Sequence, residues 1–119
     1  RLCGAFSAVA NVRLATGRTL PEPEILRHLE ELGLAGSARR PVSQLSGGMR
    51  RRVAIARAVC AGPQLLLLDE AFKGLDDQCR RDTVAYIRRH TAGASLLCVT
   101  HDPEEAALLG GRCLDLSAL

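Results

Sequence analysis

Residues 65–70 read Leu-Leu-Leu-Leu-Asp-Glu, an uninterrupted apolar run that ends in two carboxylates. Gly62 and Pro63 come just before the run, and Gly74 follows shortly after it. A short apolar segment between turn-forming residues is typical of a strand that is buried on both faces, as in a parallel sheet. We therefore predict a buried strand whose carboxyl end lies at the ligand-binding edge of an α/β sheet.

Helix and strand signals alternate after this run. Asp76 can cap a helix that reaches Arg89, and residues 94–100 form a second apolar run. Residues 102–105, Asp-Pro-Glu-Glu, match a capping box with proline at the first helical position. Residues 113–116 are expected to add one more short strand. The alternation predicts an α/β fold with a parallel sheet.

The residues before the first strand favour helices. Residues 7–14 form a short apolar segment, and residues 21–24 open a second helix with proline and glutamate in its first turn. A longer helix is predicted over residues 46–60. We therefore expect a helical subdomain over residues 1–62 and part of a sheet-containing core over residues 63–119.

The composition indicates one globular domain, since 47% of the 119 residues are hydrophobic and the net charge is only +3. No apolar stretch approaches the roughly 20 residues that span a bilayer. Aromatic residues make up only 3% of the chain, which disfavours stacking on single-stranded nucleic acid. We interpret Arg50, Arg51, Arg52 and Arg57 as a largely solvated helix face, with nucleic-acid binding by the first three as the alternative.

The cysteines and two of the histidines carry no metal-binding pattern. No CxxC pair occurs, and the cysteines are not grouped tightly enough for a zinc site or a disulfide framework. His28 and His90 are expected on the solvated surface. The cysteines are interpreted as small buried hydrophobic residues in a reducing compartment. They are Cys3, Cys60, Cys79, Cys98 and Cys113.

A phosphate-binding helix start is suggested by Ser46, Gly47 and Gly48. The first turn of a helix presents unpaired N–H groups and about half a positive charge, which favours phosphate. Two glycines let such a ligand approach without a Cβ in the way. An ordinary helix cap with a flexible approach is the alternative interpretation.

Three further residues are candidates for chemistry at the carboxyl ends of the two apolar runs. Asp69 and Glu70 are adjacent, so on a strand they would point in opposite directions and have different tasks. Asp69 suits Mg²⁺ beside phosphate oxygens, and Glu70 suits orienting or deprotonating a water. His101 could reach a phosphate or that water. Solvated acids and an ordinary loop histidine are the alternatives.

Taken in their order along the chain, these motifs resemble those of the nucleotide-binding domains of ATP-binding cassette (ABC) proteins. Residues 45–58, LSGGMRRRVAIARA, resemble the family signature and its helix. Residues 65–70 resemble the Walker B motif with the catalytic glutamate, residues 74–76 the D-loop, and His101 the switch histidine. The resemblance implies a partial P-loop NTPase (RecA-like) parallel sheet preceded by an α-helical subdomain.

The chain departs from the family pattern in several places. The phosphate-binding motif G-x-x-x-x-G-K-[ST] does not occur, and the only lysine, Lys73, lies after Walker B. The resemblance places the Q-loop glutamine just before Arg1. Met49 and Ala71 stand where glutamine and proline are common. We therefore expect a carboxyl-terminal fragment of such a domain, and we predict little or no ATP hydrolysis by the isolated chain.

The resemblance implies the ATPase subunit of a transporter, of the import type, which uses ATP and Mg²⁺ to drive solute transport. Its partners would be a second nucleotide-binding domain, in a head-to-tail dimer, and transmembrane permease subunits at the cytoplasmic face of the cell membrane. No nucleic-acid partner is expected. The alternatives are a non-catalytic partner protein and a DNA-acting ABC ATPase. The second needs a long insertion that the segment between Asn11 and Leu45 does not accommodate.

By the same resemblance, one domain contributes residues to two nucleotide sites. Asp69 would bind the metal, and Glu70 and His101 would be the catalytic residues for the domain's own nucleotide. Asp76 would cross the dimer interface and belongs with the nucleotide-binding residues. The nucleotide held by the partner would be bound by Ser46, Gly47, Gly48 and Met49.

Overall fold

The computed structural model describes residues 1–118, which form a helical layer followed by a two-stranded sheet and its helices. The predicted order of helices, strand, helix, strand and helix is confirmed, but the strand predicted to follow them does not form among residues 1–118. None of the helices in these residues is long and apolar enough to cross a membrane. The elements are α1 (Ala8–Thr16), α2 (Glu22–Glu31), α3 (Gly47–Cys60), β1 (Leu65–Asp69), α4 (Asp77–His90), β2 (Ser95–Val99) and α5 (Pro103–Leu109).

Local signals set the ends of the first two helices. The Ser7 side chain caps α1 by accepting a hydrogen bond from the amide of Ala10 at 3.1 Å. Gly17 ends α1 in the left-handed region at φ 59°, which glycine adopts readily. Helix α2 follows Pro21 and carries glutamates in its first turn, where they complement the helix dipole.

Helices α1, α2 and α3 pack around a closed apolar core. The side chains of Val12, Ile25, Leu29, Val53 and Ala56 are 0% exposed. They belong to one contiguous cluster of buried residues that continues to the inner face of the sheet and to α4. The helical layer is therefore joined to the sheet by a shared core.

The sheet consists of β1 and β2 in parallel, with Leu65 opposite Ser95 and Asp69 opposite Val99. Leu66 and Leu68 are buried, but Leu65 and Leu67 are 53% and 63% exposed. The prediction of a strand buried on both faces is therefore wrong for this structure. In residues 1–118 the helices cover only one face of the sheet, so alternate leucines remain in contact with solvent.

The start of α5 is as predicted, but its capping differs. The Asp102 side chain accepts a hydrogen bond from the amide of Glu104 at 2.8 Å. Glu105 does not complete the predicted capping box, because its carboxylate accepts from the hydroxyl of Thr100. The Asp102 amide instead donates to Thr100 Oγ1 at 3.0 Å.

The predicted strand over residues 113–116 is wrong. Residues 111–115 are irregular, and residues 116–118 form a single 3-10 turn. The Asp115 carboxylate accepts from the amide of Ser117 at 2.9 Å, a local turn that competes with strand pairing.

The cysteines and histidines also differ from expectation. Cys3 and Cys113 are exposed, whereas the other three cysteines are half-buried, so none is the fully buried residue that was predicted. His28 is half-buried rather than solvated, because its Nδ1 lies 2.7 Å from the hydroxyl of Tyr86. His90 is exposed as predicted, but its ring packs on His28 with centroids 4.5 Å apart.

Candidate functional site

The carboxyl edge of the sheet brings the predicted catalytic residues together. Glu70 directly follows β1, and its amide donates to the carbonyl of Val99 at 2.9 Å, which extends the pairing with β2. His101 comes two residues after β2, and its Nε2 lies 3.2 Å from Glu70 Oε1. Asp69 is the last residue of β1 and is exposed at the same edge.

One carboxylate oxygen of Glu70, Oε1, accepts no hydrogen bond from the described residues. The Glu70 side chain is 34% exposed, but Oε1 itself is buried. His101 Nε2 is therefore close enough to Glu70 Oε1 for an ion pair, but the two atoms are not aligned as a hydrogen bond. The side chain of His101 is 95% exposed. A partly exposed carboxylate beside an exposed imidazole is suited to holding a water or a ligand group.

The backbone of Glu70 lies in the left-handed region at φ 51°, which is uncommon for a residue with a side chain. Its carbonyl accepts from the amide of Lys73 at 3.3 Å and from Arg51 Nη1 at 2.8 Å. The expectation that Arg51 lies largely outward is therefore wrong, because its guanidinium reaches inward to this turn. Adjacent identical arginines offer no sequence signal that distinguishes this one.

Arg80 anchors the turn that carries His101, a role that no motif in the sequence predicts. Arg80 is only 9% exposed. Its guanidinium donates hydrogen bonds to the carboxylates of Asp102 at 2.8 Å and Glu104 at 2.7 Å. It also bonds Asp77 at 3.1 Å. The carboxylates lie up to 24 residues away along the chain, so spacing does not reveal them.

Three carboxylates, those of Glu105, Glu70 and Asp69, lie near Cys98 of β2 at this edge of the sheet. Burial raises the pKa of the Cys98 thiol, and the negative charges of Glu105, Glu70 and Asp69 raise it further. Cys98 thus stays a thiol at neutral pH. Negative charge at this edge favours a cation there.

The predicted phosphate-binding helix start is the amino end of α3. Ser46 caps the helix by accepting from the amide of Met49 at 3.1 Å, and the Met49 side chain is half-buried against the core. A Cβ at Gly47 would contact nothing within 4 Å, whereas one at Gly48 would lie 3.4 Å from the Leu75 side chain. Gly47 is therefore open to an outside ligand, and Gly48 lets the loop before α4 pack closely.

Asp76 serves as the cap of α4, as the sequence analysis predicts. Its Oδ1 accepts from the amide of Cys79 at 2.7 Å, and the residue is exposed. The contact between Gly48 and Leu75 brings the loop of Asp76 beside the start of α3, while Glu70 and His101 lie together at the sheet edge. The predicted residues thus form two groups.

Comparison with known proteins identifies the chain. A family model described as ABC transporter matches residues 9–73. The aliphatic sulfonates import ATP-binding protein SsuB 2 of Burkholderia lata is 44% identical over 98% of this chain. The sulfate/thiosulfate import ATP-binding protein CysA of Gloeobacter violaceus is 46% identical over 75% of this chain and 28% of its own length.

The fold agrees with these relatives. The dimeric structure of MJ0796, a bacterial ABC transporter cassette, superimposes with a TM-score of 0.80 over 91% of this chain and 51% of that one, at 27% identity. The chain spans 44% of the length of the sulfonate import protein. Both the α/β P-loop NTPase fold and the resemblance to ABC nucleotide-binding domains are confirmed. The chain belongs to the ABC transporter family.

Proposed function

We propose that the full-length protein containing this chain is the ATP-hydrolysing subunit of an import-type transporter. The observation that carries the proposal is the meeting of Glu70 and His101 at the carboxyl edge of the sheet, with Asp69 beside them. The sulfonate and sulfate import ATP-binding proteins to which the chain is similar support the import direction. These relatives are named for different solutes, so we propose no particular solute for this chain.

Glu70 would act on the water that attacks the γ-phosphate of ATP. Its carboxylate, which is 34% exposed, would accept a hydrogen bond from that water and take its proton as the new phosphorus–oxygen bond forms. The bond between the γ-phosphorus and its bridging oxygen breaks, and ADP leaves. His101 would donate a hydrogen bond from its exposed ring to a γ-phosphate oxygen, which stabilises the charge there.

Asp69 fits a magnesium ligand. Mg²⁺ prefers oxygen and is usually held by one or two carboxylates together with phosphates and waters. Within residues 1–118 no group of three acidic, histidine or cysteine side chains forms a closed metal cage, and the carboxylate of Asp69 is exposed at the acidic edge. When bound, the ion would neutralise phosphate charge.

The start of α3 would bind the nucleotide held by a second copy of the domain. Ser46 and Gly47 are exposed and Gly48 is partly exposed at this helix start, where the amide of Met49 donates to Ser46 Oγ. Asp76, next to this turn through Leu75, would lie at the interface between the copies. The permease subunits would lie at the membrane, with this subunit on its cytoplasmic face. The isolated 119 residues, without a phosphate-binding loop, would hydrolyse little or no ATP.

Steady-state ATP hydrolysis by the full-length protein, assembled with its permease subunits, tests the proposal. Glu70→Gln removes the proton acceptor but keeps the shape, so we expect turnover to fall at least about a hundredfold. Glu30→Gln is the matched control, because Glu30 is exposed at the end of α2. Wild-type turnover in Glu70→Gln would contradict the proposal.

A further inference from the structure

We propose that Arg51 is a positioning residue that holds Glu70 in its working conformation. The inference rests on the proposed function, because it concerns the residue that would act on the attacking water. Arg51 lies in the second turn of α3, is half-buried, and directs Nη1 to the backbone carbonyl oxygen of Glu70 at 2.8 Å. It touches no part of the carboxylate.

The conformation of Glu70 needs such support. A left-handed residue with a side chain is disfavoured and persists only where its surroundings hold it. The amide of Glu70 is held by Val99 of the sheet, and its carbonyl by Lys73 of the same turn. Only the hydrogen bond from Arg51 comes from another layer of the molecule, the helix α3. The charge of the guanidinium makes this bond stronger than a bond between neutral groups.

The bond also joins the two groups of predicted site residues. Ser46 caps the start of α3, and Arg51 follows five residues later, about 7.5 Å along the helix axis. The helix that would bind the partner's nucleotide therefore holds the backbone of the glutamate that would act on the domain's own nucleotide. A shift of α3 would move Glu70 directly.

Neighbouring arginines of α3 make the same type of hydrogen bond to other backbone carbonyls. The positioning role of Arg51 therefore depends on its acceptor, the carbonyl of Glu70, and not on its being an arginine. Arg52 Nη1 donates to the carbonyl of Leu32 at the end of α2 at 2.8 Å. Arg57 Nη1 donates to the carbonyl of Arg1 at 3.0 Å, at the end of α3 remote from Ser46. Each is a guanidinium bond to a backbone carbonyl, but only the bond of Arg51 ends on Glu70.

The test uses the full-length protein assembled with its permease subunits. Arg51→Met and Arg51→Gln should lower kcat about tenfold to a hundredfold, because misplacing a reacting group by about 1 Å has effects of that size. KM for ATP should not change, since Arg51 contacts no nucleotide-binding residue. Arg51→Lys keeps a donor and should recover part of the loss. Arg57→Met, the matched control on the same helix, should keep wild-type kcat.

A double variant separates positioning from general stability. In a Glu70→Gln background, measured under single-turnover conditions, adding Arg51→Met should cause no further loss, because the residue through which it acts is already disabled. Wild-type kcat in both Arg51→Met and Arg51→Gln would overturn the inference. So would an equal loss in both backgrounds, or an equal loss in Arg57→Met. If Glu70→Gln itself kept wild-type turnover, the proposed function would fail instead.

Discussion

The helical region, residues 1–62, and the strand region, residues 63–118, use the same kinds of apolar residue with different results. In the helical region three helices close around side chains such as Ile25 and Leu29 that are 0% exposed. In the strand region Leu67 and Leu97 are 63% and 57% exposed on the open face of the sheet. Helices can enclose a core among themselves, whereas a parallel sheet needs a layer on each face.

Buried polar groups show the same contrast. In the helical region Asn11 is 2% exposed, and its side chain makes four hydrogen bonds to the backbone of Cys3, Phe6 and Ser7. In the strand region Glu70 Oε1 is buried without a hydrogen-bond donor among the described residues. A satisfied amide stabilises the fold, while the partly exposed carboxylate of Glu70 is available for a ligand.

The greatest loss of stability is expected in the closed core rather than on the open face of the sheet. In the 119-residue chain, Leu29→Ala should lower the free energy of unfolding by about 3–4 kcal/mol, because it leaves a cavity in a closed core. Leu97→Ala, the matched change on the open face, should alter it by less than about 0.5 kcal/mol. Urea unfolding followed by circular dichroism measures both. Equal losses would show that the sheet face is covered as fully as the helical core.

An intermediate effect is expected at the polar network of the strand region. Arg80→Met should lower the free energy of unfolding by about 2 kcal/mol, because the carboxylates of Asp102 and Glu104 lose a nearly buried charged donor. Arg81→Met is the control, since Arg81 is exposed and bonds only Gln78. Urea unfolding measures both variants. Equal free energies of unfolding for Arg80→Met and Arg81→Met would show that the hydrogen bonds of Arg80 do not stabilise the fold.

The smallest effect is a pH dependence where α2 meets α4. Burial lowers the pKa of His28, and the charge of His90 lowers it further. The unfolded state then binds a proton more readily than the folded state, so stability should fall as the pH drops through and below about 6.5. His28→Gln should flatten that part of the profile in chemical unfolding. The polar and charged groups facing His28 are Tyr86, His90, Glu31, Glu24 and Arg27.

The titration of Glu31 lies in a lower pH range than that of His28, so the two effects on stability can be measured separately. Burial would raise the pKa of Glu31, but hydrogen bonds from His90 and Arg89 outweigh it and lower the pKa. Its contribution to stability is lost only as the pH falls below about 4.5. An unchanged slope near pH 6.5 in His28→Gln would assign the dependence to another group.

Local chemistry explains what the sequence predicts well. Ser46, Asp76 and Asp102 are the caps of α3, α4 and α5, because a short acceptor side chain before an apolar periodic segment marks a helix start. Glu70 and His101 meet because each follows a parallel strand, and the carboxyl ends of such strands share one edge.

Contacts between distant residues explain what the sequence does not predict. Nothing in three consecutive arginines indicates that Arg51 reaches Glu70. His28 and Tyr86 are 58 residues apart, so their hydrogen bond has no local signal. The exposure of Leu65 depends on how many layers cover the sheet, whereas the apolar run reports only strand propensity. The boundary near residue 62 stays a prediction.

We propose that the two regions serve different nucleotides: Ser46 the partner's and Glu70 the domain's own. ATP-dependent dimerisation of the full-length Glu70→Gln subunit, followed by size-exclusion chromatography, tests it most directly. Glu70→Gln should dimerise with ATP, because bound ATP is not hydrolysed. Glu70→Gln with Ser46→Arg should stay monomeric while binding a fluorescent ATP analogue as tightly as before. Loss of that monomer binding would contradict the claim, because Ser46 would then act on its own domain's nucleotide.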